Sequence, residues 1–215
     1  MTDMATWINT TFAGFDHSLL QALHSLAEWG GAFFTPFLWA VSYVGELGAI
    51  VIVLAVFLIF FKQTRKAGIC MILAVCLGAL MTNVLIKEFV ARPRPFADSV
   101  EMYNQWWAYV GSYPTSEIYS FPSGHVTATM AGMMALFLSL DKRITWVGFV
   151  FVAIMGVSRC YFMVHYPSDV LGGVLVGALA GVLAYLIVQA IAKRKDPKES
   201  DETSLDVPIK KERSI

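Results

Sequence analysis

Apolar and polar positions fall into blocks along this chain. Five apolar stretches, at roughly 36–61, 67–86, 126–140, 144–157 and 170–192, are separated by polar segments. A helix needs about 20 largely apolar residues to cross a bilayer, and these blocks predict five transmembrane helices. Residues 15–29 read differently. Leu19, Leu20, Leu23, Leu26 and Ala27 line one helical face, while His17, Gln21, His24 and Glu28 line the other. That 3.6-residue period with a polar side predicts an amphipathic helix at the membrane interface. The expected fold class is all-α, a polytopic membrane helix bundle. Its predicted parts are an N-terminal segment (1–35), a membrane domain (36–192) and a cytoplasmic tail (193–215). The tail is rich in Asp, Glu, Lys and Ser, a composition that predicts disorder.

Composition agrees with the pattern. Hydrophobic residues make up 57% of the chain and mean hydropathy is +0.61, far from soluble averages. Net charge is zero, so bulk electrostatics offers nothing to nucleic acid. Cys70, Cys76 and Cys160 lie in or at the ends of apolar runs, without metal-ligand spacing or a disulfide framework, and are expected as buried apolar residues. No Lys or Arg precedes Lys62, so no secretory signal peptide is expected.

Charge then orients the spans. The basic clusters at 62–66, 142–143 and 193–195 fall on one side if five spans alternate, and the positive-inside rule makes that side cytoplasmic. Lys87, the polar-aromatic loop 91–122, Arg159, His165 and Asp169 then share the outer side. Ionisable groups at membrane depth are costly and are functional candidates. Glu46, inside the first apolar block between Gly45 and Gly48, is one more. It is expected to pair with a cation of the site, to face a wet cavity, or to stay protonated by burial.

Three motifs carry candidate chemistry. Lys87 to Pro95 places three cations in eight residues, with Pro93 and Pro95 ending the helix before Arg94; such a cluster calls for an anionic partner. Pro122-Ser123-Gly124-His125 opens an apolar block, where free N–H groups and the helix dipole favour an anion. Ser123 adds a hydroxyl, Gly124 permits close approach and His125 can carry a proton. In the third stretch Pro167 starts a helix with Asp169 in its first turn. From there a carboxylate can reach back to His165, fix its tautomer and raise its basicity. Arg159 offers a planar fork of donors suited to phosphate.

Together the motifs resemble the type 2 phosphatidic acid phosphatase superfamily. Its signature is matched in order: Lys87, six residues, Arg94-Pro95; then Pro122 to His125; then Ser158-Arg159, five residues, His165, three residues, Asp169. Many integral members have six spans, one more than is read here. The resemblance implies an integral-membrane lipid phosphatase, independent of metal and cofactor. Its substrate would be a lipid mono- or diphosphate such as undecaprenyl pyrophosphate, phosphatidylglycerol phosphate or phosphatidate. It assigns His165 as nucleophile oriented by Asp169, and His125 as the group that protonates the leaving oxygen and then activates water. Lys87, Arg94, Ser123, Gly124 and Arg159 would hold the phosphoryl oxygens. The competing reading is a carrier of anionic lipids without turnover; two histidines, one with a carboxylate partner, count against it. Six aromatic residues between Phe96 and Phe121 fit an interfacial belt, or a roof over a lipid tail.

Overall fold

The computed structural model describes residues 2–195, and among these every regular element is helical. α1 (Asp3–Thr11) is capped by Thr2, whose hydroxyl accepts from the Ala5 N–H at 3.1 Å. α2 (Ala13–Val44) is bent at Gly30 (φ −140°, ψ 25°), one residue before a second glycine and one and a half turns before Pro36. After a short turn at Glu46–Gly48 comes α3 (Ala49–Ile59). α4 (Arg65–Val90) changes to π-helical turns over Leu80–Ile86. α5 (Glu101–Tyr109) lies in the long loop. α6 (Gly124–Ser139), α7 (Lys142–Tyr161) and α8 (Pro167–Lys195) complete the bundle.

The expected spans are recovered in part. α4, α7 and residues Pro167–Arg194 of α8 are long and apolar enough to cross a membrane. A fourth span results if α2 and α3, bent by 53°, count as one. The block at 36–61 is therefore not one straight helix. Gly48, at φ +72°, breaks it with a left-handed backbone that glycine adopts without strain. The block at 126–140 forms α6, which has 16 residues and falls short of the usual spanning length. Residues 15–29 are not a separate helix but the first half of α2, which runs on through the expected boundary at 35. Part of their polar face meets protein: His24 stacks on Trp106 at 4.7 Å, and His17 Nδ1 lies 3.2 Å from the Tyr103 hydroxyl. Large apolar side chains such as Val53, Phe57, Leu85, Leu175 and Leu186 lie exposed along the bundle, as a lipid-facing surface requires. The chain is a multi-pass membrane protein. Of the expected tail, residues 193–195 continue α8 and residues 196–215 lie outside the described part.

α6 sits at the centre, against α4 on one side and α8 on the other. Its contact with α8 rests on a stripe of glycines. A Cβ at Gly173 would lie 2.8 Å from the Ser123 carbonyl oxygen, at Gly177 2.6 Å from that of Thr127, and at Gly181 2.8 Å from that of Ala131. Both rows repeat every four residues, so the two backbones run together over more than two turns. That close approach brings the start of α6 against the start of α8, where the Ser123 N–H donates to the Asp169 carbonyl at 3.1 Å.

Two expectations about single residues need correction. Glu46 is exposed at the bend, and neither a buried carboxyl nor an ion pair is found there. Cys70 and Cys160 are buried as expected, but Cys76 is exposed. Part of the aromatic loop packs onto the protein, while Tyr109 is exposed. Tyr103 and Tyr113 are buried, and Trp107 stacks on Phe96 at 4.7 Å.

Candidate active site

Helices running in opposite senses bring their ends to one place: the C-terminal ends of α4 and α7 and the N-terminal ends of α6 and α8. The π-helical turns lead directly into Lys87, and such turns are frequent at functional sites. Beyond α4, Ala91 turns left-handed and Arg94 is extended, so the segment folds back over the bundle. All eight residues expected from the motifs are placed around this one locus.

His165 and Asp169 are fully buried. Nδ1 of His165 lies 3.6 Å from Oδ2 of Asp169, an ion-pair separation longer than a hydrogen bond. The other ring nitrogen, Nε2, is 3.3 Å from Nη1 of Arg94. A guanidinium can only donate, so Nε2 carries the lone pair and the Nδ1 proton points towards Asp169. Burial, and then the cations Arg94, Arg159 and Lys87, hold the imidazole well below its ordinary pKa. His165 is therefore neutral, with its lone pair at Nε2.

The cations form a cradle. Arg94 donates from Nε to the Glu117 carbonyl and from Nη1 to that of Val164, both at 2.8 Å. Arg159 donates to Ser42 Oγ at 2.8 Å, and its guanidinium carbon lies 4.9 Å over the ring of Tyr113. The open side of Gly124 faces the cradle, since a Cβ there would lie 3.7 Å from Lys87 Nζ. His125 lines a cavity of about 80 Å³ with Gly124, Asn83 and Glu117, within electrostatic reach of Arg159, His165, Lys87 and Arg94.

Among the described residues, three buried polar atoms around the cradle have no hydrogen-bond partner: Ser123 Oγ, His125 Nε2 and Arg159 Nε. Unsatisfied buried groups are expensive and rare. Gathered beside three cations, they describe a receptacle for an anion with several oxygens.

Some participants went unseen in the sequence. Glu117 bridges Lys87 (2.6 Å) and Arg94 (2.7 Å). Burial works to raise its pKa, but the hydrogen bond from Lys87 and the charges of Lys87 and Arg94 hold it below the usual carboxylate range. On the other side of Asp169, Arg92 donates to Oδ1 at 2.6 Å and to Asp16 Oδ2 at 2.8 Å. In the Arg-Pro-Arg-Pro run the motif gives a role to Arg94 and none to Arg92. Its two arginines in fact straddle the His165–Asp169 pair. An acid inside a loop placed on the outer side with the cations was a usable signal for Glu117.

Residues 66–193 match the model of the PAP2 superfamily. The chain belongs to that superfamily. Among its PAP2 relatives is an undecaprenyl-diphosphatase of Sulfolobus acidocaldarius, 32% identical over 130 residues, or 60% of this chain and 59% of that one. This chain thus spans less than two thirds of that relative's length. A lipid A 4'-phosphatase of Porphyromonas gingivalis is 31% identical over 188 residues, 82% of this chain and 70% of that one. The fold is shared with the crystal structure of a transmembrane PAP2 type phosphatidylglycerolphosphate phosphatase from Bacillus subtilis. The TM-score is 0.64 at 20% identity, covering 89% of this chain and 91% of that one. These PAP2 relatives are named as phosphatases.

Proposed function

We propose that this PAP2 protein is a lipid phosphatase that works without metal, through a phosphohistidine on His165, at the extracytoplasmic face of the membrane. The observation that carries this reading is the set of unpaired buried polar atoms beside Lys87, Arg94 and Arg159. They surround a neutral imidazole whose free nitrogen faces the cradle. A phosphoryl oxygen takes up the Arg94 Nη1 donor, which frees the Nε2 lone pair to face phosphorus. Nε2 of His165 attacks phosphorus as the bond to the lipid oxygen breaks, and His125 gives that oxygen a proton. Asp169 stabilises the imidazolium that forms. In the second step His125 takes a proton from water, whose oxygen attacks phosphorus and frees His165. The products are inorganic phosphate and the lipid alcohol, or the lipid monophosphate when the substrate is a diphosphate. Lys87, Arg94, Arg159, Ser123 and the Gly124 N–H hold the charge that develops on the oxygens.

The names of several relatives support a panel of lipids carrying a terminal phosphate: undecaprenyl diphosphate, a phosphorylated lipid A and phosphatidylglycerol phosphate. The reading predicts an acid-labile, base-stable phosphoenzyme when a labelled lipid of this panel is quenched within one turnover. No labelled protein from any of them, with phosphate still released, would exclude the covalent route. The membrane face has its own test. A cysteine in place of the exposed Ser116 should react with an impermeant thiol reagent in intact cells, and labelling only after lysis would reverse the topology.

A further inference from the structure

Beneath the His165–Asp169 pair lies a second charged layer, built from Asp16, which lies outside all three motifs, and Arg92, to which the motifs give no role. Asp16, in the first turn of α2, and Arg92 are both almost fully buried. Asp16 Oδ1 accepts from the Ser168 N–H at 2.8 Å, and Oδ2 accepts from Ser168 Oγ at 2.6 Å and from Arg92 Nη2 at 2.8 Å. Arg92 in turn donates from Nη1 to Asp169 Oδ1 at 2.6 Å and to Ser168 Oγ at 2.7 Å. Its Nε donates to Asn9 Oδ1 at 2.7 Å, and the guanidinium lies 3.9 Å over the ring of Tyr166. The order of charges is therefore Asp16, Arg92, Asp169, His165, drawn from both ends of the chain.

This geometry does two things for Asp169. Arg92 occupies Oδ1, and the Tyr166 N–H at 2.8 Å helps fix Oδ2 on the side of His165. Arg92 alone would also cancel the negative charge of Asp169. Asp16 restores it, because two carboxylates around one guanidinium leave a net charge of −1. At short range and low dielectric, that remaining charge is what stabilises an imidazolium. From this arrangement we infer that Asp16, acting through Arg92, is a positioning residue for the reaction at His165. It keeps Asp169 both oriented and effectively anionic. The inference rests on the phosphohistidine reading above and assigns the N-terminal segment a part in it.

The groups facing His165 are Asp169, Arg94, Arg159, Lys87 and Glu117, with His125 within electrostatic reach; none of them touches Asp16. Asp16→Asn should therefore leave the anion cradle intact. Measured on full-length protein in detergent, inhibition by inorganic phosphate should stay within about twofold of wild type. The rate of phosphoenzyme formation should fall at least about tenfold, with the full worth of a positioned proton carrier, about 10²–10⁴-fold, as the ceiling. The acid limb of the pH profile should move to lower pH, because removing a negative charge makes the imidazole harder to protonate. Asp16 also borders an open recess of about 580 Å³ shared with Arg92, Asn9 and Tyr166. Asp16→Ala should consequently be rescued by formate but not by formamide, since only formate returns the charge.

A folded Asp16→Asn protein with wild-type rate and pH profile overturns the inference, as does a rate loss matched by an equal loss of phosphate binding. So does Asp16→Ala that formate cannot restore, or failure of both variants to fold even with formate present, which would make Asp16 a residue of the fold alone. Wild-type protein is the control for the reading beneath. If it forms no phosphohistidine, that reading fails; if it does and Asp16→Asn matches its rate, only the present inference fails.

Discussion

Glu117 holds the two cations that the phosphate needs. With 2.6 Å to Lys87 and 2.7 Å to Arg94, its carboxylate sits where a phosphoryl oxygen would be bound, and a substrate must displace it. Replacing it by glutamine keeps the shape and removes the charge. Two charge-assisted hydrogen bonds in a dry interior would total about 3–6 kcal/mol, but the Glu117 side chain is 40% exposed. The value for solvent-screened pairs, about 0.2–1 kcal/mol each, is the better guide. Together they oppose phosphate by about 0.5–2 kcal/mol, or about 2- to 30-fold in affinity. Glu117→Gln should therefore tighten inhibition by inorganic phosphate and lower KM by that factor. Wild-type affinity for phosphate should rise as pH falls towards the carboxylate's depressed pKa, while the variant shows no such change. Both constants can be read from initial rates on one lipid phosphate at several phosphate concentrations. Weaker phosphate inhibition in the variant would refute the argument, because it would mean that Glu117 positions Lys87 and Arg94 rather than competing for them.

Other consequences can be checked alongside. His165→Ala should abolish turnover of lipid phosphates and p-nitrophenyl phosphate alike. His125→Ala should cost about 10²–10⁴-fold on an alkyl phosphate, much less in phosphorylation by the nitrophenyl ester, and should let phosphoenzyme accumulate in single-turnover runs. Orthovanadate should inhibit and EDTA should not; activity lost in EDTA and regained with a divalent ion would sink the metal-independent reading. The depressed pKa of His165 places the acid limb of kcat/KM below about 6.5, the ordinary histidine value, because the neutral ring is the reactive one. A limb above that value would contradict the buried, cation-flanked environment. Gly177→Leu would drive a side chain into the α6 backbone and should cost about 1–3 kcal/mol or more of stability, read as a lowered melting temperature with loss of activity.

Lys87, Arg94, Ser123, Gly124, His125, Arg159, His165 and Asp169 could be read from the sequence because their spacing is local. Each motif lies at a helix end, and the alternation of apolar blocks carries those ends to one side. Glu117 and Asp16 had no such frame. Asp16 reaches Ser168 across 152 positions, and no period in the sequence encodes that contact. Reading residues 15–29 as an amphipathic helix turned attention to solvent and headgroups, when the helix was presenting His17 and His24 to the aromatic loop and Asp16 to the site. Glu46 misled in the opposite way. Hydropathy placed it inside a span, but Gly48 breaks the helix next to it and leaves it exposed. Hydropathy averages over about 19 residues cannot register a break of that size.

The glycine stripe between α6 and α8 bears on how the enzyme responds to temperature. The hydrophobic effect weakens on cooling, and a water-driven core loosens with it. Gly173, Gly177 and Gly181 lie against the carbonyls of Ser123, Thr127 and Ala131 and the side-chain bases of Val126, Met130 and Met134, so this seam holds by close contact and dispersion. Because it also seats the start of α6 on the start of α8, the alignment of His125 with His165 and Asp169 rests on a joint that cooling does not slacken.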